Sequence, residues 1–166
     1  MRRLIWPVLF LFLIVVQGAS SVFYSGWLAF DLPLLFLYSF ALLRGQDKGA
    51  LAGFSIGFVQ DSMTVGVFGY HMLTRAIFGF LVGLMKEKIV KEQSRFHVLI
   101  IGGACFFMRF CYWWLELIRS GGRWDILPAF IWKSLGYCLG NMLFIIPMLI
   151  LVNYIYAWIK AEDVSY

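Results

Sequence analysis

Charged residues are scarce in this chain of 166 residues. Only 14% of the residues are charged, whereas 62% are hydrophobic and 19% are aromatic. A soluble domain of this length could not cover so much apolar side chain, because its surface would have to be largely hydrophobic. A lipid bilayer removes that difficulty by acting as an apolar solvent. The composition therefore excludes a soluble globular domain and predicts an integral membrane protein, organised as one polytopic domain over residues 1–166.

Motifs of the common enzyme classes are also missing. The sequence contains no HExxH zinc motif, no GxSxG nucleophile motif and no glycine-rich phosphate-binding loop. The three cysteines, Cys105, Cys111 and Cys138, form no CxxC pair and show no paired spacing with His71 or His97. Buried packing thiols are therefore favoured over a metal site. The sequence predicts neither catalysis nor a cofactor.

Short polar segments divide the chain into apolar spans. The loops, among them "RGQDKG", "KEKIVKEQSR" and "RSGGRWDILP", contain glycine, proline or mixed charge. The N-terminal stretch "MRRLIWPVLFLFLIVVQGASS" has the features of a signal peptide, but its apolar run continues past Val22 and is long enough to cross a bilayer. We interpret it as a retained first helix, with cleavage as the alternative. The predicted fold is an all-α bundle of six transmembrane helices, at about 4–24, 28–43, 49–65, 68–85, 96–118 and 129–159.

The distribution of basic residues predicts the orientation of these spans. Lys and Arg concentrate in the cytoplasmic loops of membrane proteins. With six spans, only Arg119 and Arg123 fall in an outer loop. Because the other basic residues of the loops lie on the cytoplasmic side, the net charge of +5 needs no nucleic-acid-binding function to explain it. We therefore predict that both termini are cytoplasmic, with nine basic residues on that side: Arg2, Arg3, Arg44, Lys48, Lys86, Lys88, Lys91, Arg95 and Lys160.

Glycines recur at four-residue spacing in the predicted third and fourth spans. This spacing places them on one helix face, where two backbones can approach closely. They could pack helices within the bundle or dock a partner helix, and packing is favoured because six helices must already pack together. The candidate residues are Gly49, Gly53, Gly57, Gly79 and Gly83.

Six charged residues lie inside the predicted spans, in the half nearer the outer surface. A charge at mid-membrane costs at least about 2.5–3.5 kcal/mol on insertion scales, so an unpaired position facing lipid is disfavoured. Extension to the lipid headgroups is favoured for three of them: Asp31, Glu116 and Lys133. An interior cluster is favoured for Asp61, Arg75 and Arg109. Glu116 is also a candidate for this cluster, because it shares a helical face with Arg109. The predicted intramembrane polar cluster is Asp61, Arg75, Arg109 and Glu116.

Asp61 and Arg75 are expected to meet in this cluster. They lie on consecutive predicted helices joined by a tight outer turn, at similar depth, so their side chains converge if both face the interior. Arg109 is an alternative partner for Asp61. The charges are thus predicted to line an interior or outward-facing recess.

The order of features in residues 30–88 resembles the rod shape-determining protein MreD family. The pattern begins with Asp31 and Pro33, an apolar helix and a short basic turn. A glycine-rich helix follows and ends in Gln60 and Asp61. A glycine-containing turn, with Gly66 and Gly69, then leads into another helix. The remainder of the chain agrees in length, number of spans and basic loops.

This resemblance implies a non-catalytic protein of the bacterial inner membrane. Members of the family bind the bitopic protein MreC directly. With actin-like MreB filaments and the RodA–penicillin-binding-protein synthase, they support lateral peptidoglycan synthesis and rod cell shape. The family's fold is similar to that of the S-components of energy-coupling-factor transporters, so the resemblance implies an S-component-like bundle surrounded by membrane lipids.

That similarity of fold supplies the alternative function, a vitamin-binding S-component of an energy-coupling-factor transporter. S-components typically dock their transmembrane partner through small residues in the first helix, commonly as Ala-x-x-x-Ala. The first span of this chain has only Gly18, Ala19 and Ser20 near its outer end and lacks that pattern. An enzyme acting on lipid-linked precursors is a third option, which no nucleophile–base pair supports. A scaffold is therefore the leading interpretation.

Overall fold

The chain folds into a helical bundle. The computed structural model describes residues 5–23, 27–63, 67–89, 94–122, 124 and 127–163. Some residues named above lie outside these ranges. They are the predicted span limits Leu4, Tyr24 and Val65, Gly66 of the family pattern, and the basic residues Arg2, Arg3, Lys91 and Arg123. The described residues contain seven helices: α1 (Ile5–Phe23), α2 (Leu32–Arg44), α3 (Gln46–Met63), α4 (Tyr70–Leu84), α5 (Lys86–Ile89), α6 (Ser94–Arg119) and α7 (Leu127–Asp163).

Six of these helices overlap the six predicted spans, and the all-helical prediction is confirmed. By length and composition, α6 and α7 are the two described helices that could cross a membrane. The 13 residues of α2 and the 15 of α4 extend for only about 20 and 22 Å, against a hydrocarbon core of about 30 Å. Six membrane crossings therefore stay a prediction.

Two predicted loops are shorter in the structure. The "RGQDKG" loop is reduced to Gly45, whose φ of 86° suits glycine and ends α2, and α3 begins at the next residue. Asp47 lies in the first turn of α3, where the helix dipole favours a negative charge. The basic loop after α4 begins with the four-residue helix α5, because Ile89 is buried and anchors it to the bundle.

The core of the bundle lies around α2. Leu34, Leu35, Leu37, Tyr38 and Ala41 are completely buried. This helix packs against α1, α3, α4 and α7. Its sequence, "LPLLFLYSFALLR", is apolar on nearly every side, as expected for a helix that meets protein all round.

The α3–α4 pair is the most extensive helix contact, and glycines make it possible. A Cβ atom added to Gly53 would overlap the carbonyl oxygen of Arg75, and one added to Gly57 would overlap the backbone at His71. Close approach of two backbones requires such positions to lack a side chain. Gly49 and Gly79 oppose each other in the same way, and Gly83 opposes Gln46. All five candidate glycines thus face the neighbouring helix or the turn that begins it.

The extended segment before α2 packs against α7. A Cβ atom at Gly136 would overlap the carbonyl oxygen of Trp27, and one at Gly140 would overlap that of Ala29. The indole nitrogen of Trp27 donates a hydrogen bond to the carbonyl oxygen of Trp132 over 2.7 Å, and the two rings stack. The first residues of the predicted second span, 28–31, therefore precede the helix, and their backbone packs against α7.

Large apolar side chains cover the outside of the bundle. Val15, Leu51, Leu73, Leu99 and Ile150 each expose more than 60% of their surface, and they lie on five different helices. A water-soluble protein rarely leaves so much apolar surface open. Together with the apolar helices, this outer surface indicates a membrane protein.

Candidate functional site

A buried ion pair joins α4 to the residue that precedes α2. The guanidinium Nη2 of Arg75 lies 2.5 Å from the carboxylate Oδ2 of Asp31. The two side chains are 3% and 12% exposed. Charges taken out of water are stable only when they are paired and hydrogen-bonded, so each residue depends on the other.

Further hydrogen bonds hold Asp31 in place. Its Oδ1 accepts the backbone N–H of Leu34 over 3.0 Å, which makes Asp31 the N-cap of α2. Its Oδ2 also accepts the hydroxyl of Tyr137 on α7 over 2.8 Å. The backbone N–H of Asp31 in turn donates to Oδ1 of Asn141 over 2.9 Å. One carboxylate therefore connects α2, α4 and α7, and Pro33 in the first turn suits the helix start that it caps.

Asp61 caps the N-terminus of α4. Its carboxylate accepts the backbone N–H groups of Gly69, His71 and Met72 over 2.9–3.1 Å. Gly69 precedes the helix in a left-handed conformation and supplies no side-chain cap of its own. A carboxylate at this position satisfies free N–H groups and complements the helix dipole. Asp61 thus ties the end of α3 to the start of α4.

The expected pairing of Asp61 with Arg75 was wrong. Arg75 lies one turn beyond His71, where its side chain faces Asp31, while Asp61 reaches only the backbone at the start of α4. The expectation that Asp31 extends to the headgroups was also wrong, because this residue is only 8% exposed. The first error arises from the rotation of α4 about its axis, and the second from the contacts of Asp31 with α4 and α7; sequence spacing determines neither.

The other two members of the predicted cluster are less buried. Arg109 on α6 is half-buried, donates from Nε to the hydroxyl of Ser134 over 3.3 Å, and lies over the rings of Phe130 and Tyr137. Glu116, also half-buried, lies two turns farther along α6. The structure thus brings Arg75 and Arg109 to one region of the bundle and leaves Glu116 beyond it.

A cavity of about 300 Å³ separates α4 from α6 and α7. Both arginines line it together with Asp31, so two positive charges face one negative charge. Aromatic side chains complete much of its wall: Tyr70, His71, Tyr112 and Tyr137.

The guanidinium of Arg75 is only partly satisfied by protein. Its Nη2 atom binds Asp31, whereas Nε and Nη1 have no hydrogen-bond partner among the described residues. The residue is 2% exposed. Leaving a buried donor unpaired typically costs about 1–3 kcal/mol, and more for a charged group, so a second acceptor at this position would be stabilising.

The described part of the chain offers little else that could act chemically. It contains no group of three His, Cys, Asp or Glu side chains that could hold a metal ion. Cys105 and Cys138 are buried free thiols and Cys111 is half-buried. His97 contacts the hydroxyl of Tyr38 over 2.7 Å, which joins α6 to the core helix α2.

Three uncharged residues complete the polar region without having been predicted. Asn141 is fully buried and Tyr137 lies one turn before it on α7. Gln17 on α1 donates to the carbonyl oxygen of Phe30 over 2.9 Å and accepts the N–H of Leu32 over 3.0 Å. A polar amide in an apolar run was the available signal, because such residues inside a membrane protein need a partner.

Comparison with known protein families places the chain in a described family. The family model described as "rod shape-determining protein MreD" matches residues 1–157. No curated protein and no solved structure matches the chain significantly. The match covers the whole polar region, from Gln17 to Asn141.

Proposed function

The chain belongs to the rod shape-determining protein MreD family, and on that premise we propose that it is a non-catalytic scaffold of the bacterial cell-elongation complex. The family match, over residues 1–157, is the observation that carries this proposal. Membership implies a role in rod shape determination. The scaffold binds MreC directly and works in one complex with MreB and the RodA–penicillin-binding-protein synthase to support lateral peptidoglycan synthesis.

The polar contacts of the described residues support a structural role. Asp31 joins three helices, Asp61 joins α3 to α4, and Gln17 joins α1 to the start of α2. These three side chains hold helices together, which is what a scaffold of fixed shape requires. A catalytic site would instead need a nucleophile or base directed towards a substrate.

We propose that the chain crosses the inner membrane six times, with both termini in the cytoplasm and an S-component-like arrangement of helices. The shortness of α2 is compatible with this topology, because the residues before it pack their backbone against α7, and Gln17 and Asn141 hydrogen-bond the backbone of Phe30 and Asp31. Irregular backbone is tolerated at membrane depth where protein buries it.

Basic residues at the opposite end of the bundle support the same orientation. Arg44 ends α2 and lies over the rings of Trp6 and Tyr156, near the two ends of the chain. Lys86 approaches Gly45 at the same end. A basic and aromatic end is typical of a cytoplasmic membrane interface.

MreC requires a surface that the bundle leaves open. The glycines of α3 and α4 face each other within the chain, so we assign them to helix packing and expect MreC on another face. Direct binding is tested by co-purification of MreC with this chain from detergent-solubilised membranes. The family match favours this function over the vitamin-binding alternative, which predicts a large thermal shift with a vitamin and no recovery of MreC.

A further inference from the structure

The cavity between Arg75 and Arg109 has the charge of an anion site. Two guanidinium groups and one carboxylate line it, which leaves an excess of one positive charge. Arg109 is held near the wall by Ser134 and by the rings of Phe130 and Tyr137. A positively charged, partly desolvated cavity favours an oxyanion, since guanidinium groups match carboxylate and phosphate geometry.

The unpaired nitrogen atoms of Arg75 point to a ligand independently of the net charge. Nε and Nη1 are buried and have no protein partner among the described residues, while Nη2 is bound to Asp31. Each of these two nitrogen atoms carries an N–H donor, and a charged donor of this kind hydrogen-bonds strongly to the oxygen of an anion. An oxyanion in the cavity would satisfy donors that are otherwise costly to bury.

The cavity continues into an apolar groove on the outside of the bundle. This groove, of about 800 Å³, lies between α4 and α6 and shares Val67, Tyr70 and Thr74 with the cavity. Its walls are apolar, with Leu73, Ile77, Phe107, Phe110, Trp114 and Leu115 among them. A polar, positively charged pocket beside an apolar groove matches the two parts of an amphiphile.

We propose that this site binds an anionic phospholipid, with the headgroup phosphate between Arg75 and Arg109 and an acyl chain in the groove between α4 and α6. The cavity volume of about 300 Å³ is at the lower end of the range for small-molecule pockets, about 300–1,000 Å³, and suits a headgroup better than a whole ligand. A free anion would leave the groove empty, whereas an apolar partner helix would leave Nε and Nη1 of Arg75 without an acceptor. The inference goes beyond the scaffold role and does not depend on MreC.

Native mass spectrometry of the full-length protein in detergent provides the test. Phosphatidylglycerol and phosphatidylcholine with the same acyl chains are added in separate titrations, and inorganic phosphate is added in a third. We expect phosphatidylglycerol to be retained most strongly. Arg109→Gln should weaken its binding on the order of tenfold, as loss of a charged hydrogen bond implies.

Arg119→Gln is the matched control variant. Arg119 is an exposed residue at the end of α6, so this change removes the same charge from the same helix without altering the cavity. Equal weakening by Arg119→Gln and Arg109→Gln would overturn the site, because binding would then follow surface charge alone. Equal retention of the two lipids would overturn the charge preference. Saturation by inorganic phosphate without any lipid preference would identify a free anion instead.

A further variant tests whether a lipid or a partner helix occupies the groove between α4 and α6. Leu73→Trp, on the open wall of the groove, should lower lipid retention while leaving the cavity charges in place. If Leu73→Trp instead abolished recovery of MreC and left lipid retention unchanged, the groove would belong to a protein partner and the lipid proposal would be wrong. Loss of MreC recovery in the wild-type chain would contradict the scaffold function and leave the lipid result unaffected.

Discussion

Arg75 and Asp31 form a buried ion pair with 2.5 Å between Nη2 and Oδ2, although 43 residues separate them in the chain. The pair brings α4 against the capped start of α2. Both residues also line the cavity between α4, α6 and α7. This ion pair therefore holds α4 against α2, and its two residues also line the proposed lipid site.

A double-mutant cycle on Asp31→Asn and Arg75→Gln should show strong coupling. Removing one partner of a buried ion pair typically destabilises soluble proteins by about 3–5 kcal/mol, and we expect the low end here because couplings measured in membranes are smaller. The double variant should lose clearly less than the sum of the single variants. Thermal stability in detergent is the measurement.

The matched control for this cycle pairs Arg75→Gln with Asp61→Asn. Asp61 binds backbone N–H groups and not Arg75, so these two losses should add to within about 0.5 kcal/mol. Additive losses for Asp31 and Arg75, with coupling for Asp61 and Arg75, would contradict the pairing seen in the structure.

Asp61→Ala should destabilise the protein by about 1–2 kcal/mol, because three N–H groups at the start of α4 lose their acceptor. Asp61→Asn should lose less, since one side-chain oxygen remains as an acceptor. Asp47→Ala is the control: it removes an exposed acid from the first turn of α3, which is worth only about 0.3–1 kcal/mol. Equal losses in all three variants would exclude a specific cap.

Gly53→Ala should prevent the normal approach of α3 and α4, because the added methyl group would overlap the carbonyl oxygen of Arg75. We expect a loss of at least about 1–3 kcal/mol, as for overpacked cores. Gly103→Ala serves as the control, because a Cβ atom there meets nothing within 4 Å on α6 and alanine is the better helix former. A tolerated Gly53→Ala alongside a damaging Gly103→Ala would contradict the packing.

The proposed orientation is tested by labelling in intact cells. In a background where Cys105, Cys111 and Cys138 are replaced by alanine, Lys88→Cys should resist a membrane-impermeant thiol reagent, because it lies on the predicted cytoplasmic side. Trp124→Cys, at an exposed position beyond α6, should be labelled readily. Labelling of Lys88→Cys with protection of Trp124→Cys would reverse the topology.

Much of the fold was predictable from local sequence, because apolar runs and polar breaks report helices directly. The limits of α2 were not. The stretch "DLP" has an N-cap residue followed by proline in the first turn, which is a helix-start signal, yet the apolar residues before it suggested that the helix began earlier. The close contact of that backbone with Gly136 and Gly140 is a tertiary effect that no local pattern contains.

The sequence predicted which charged residues are buried better than it predicted which residues contact each other. Asp61 and Arg75 are both buried, but their partners depend on how α4 is rotated against α2 and α7. Tyr137 and Asn141 are uncharged, so the pattern of charged residues did not predict them. Their spacing of one helical turn within an apolar run was a usable signal for a buried polar face.

Co-purification is the decisive test of the proposal that this chain is a scaffold that binds MreC. Tagged wild-type chain is recovered from detergent-solubilised membranes that contain MreC, beside an unrelated membrane protein with the same tag. We expect MreC to be recovered in stoichiometric amount with this chain and not with the unrelated protein, and we expect vitamins to leave the melting temperature of this chain unchanged. No recovery of MreC above the unrelated protein, together with a large thermal shift by a vitamin, would contradict it.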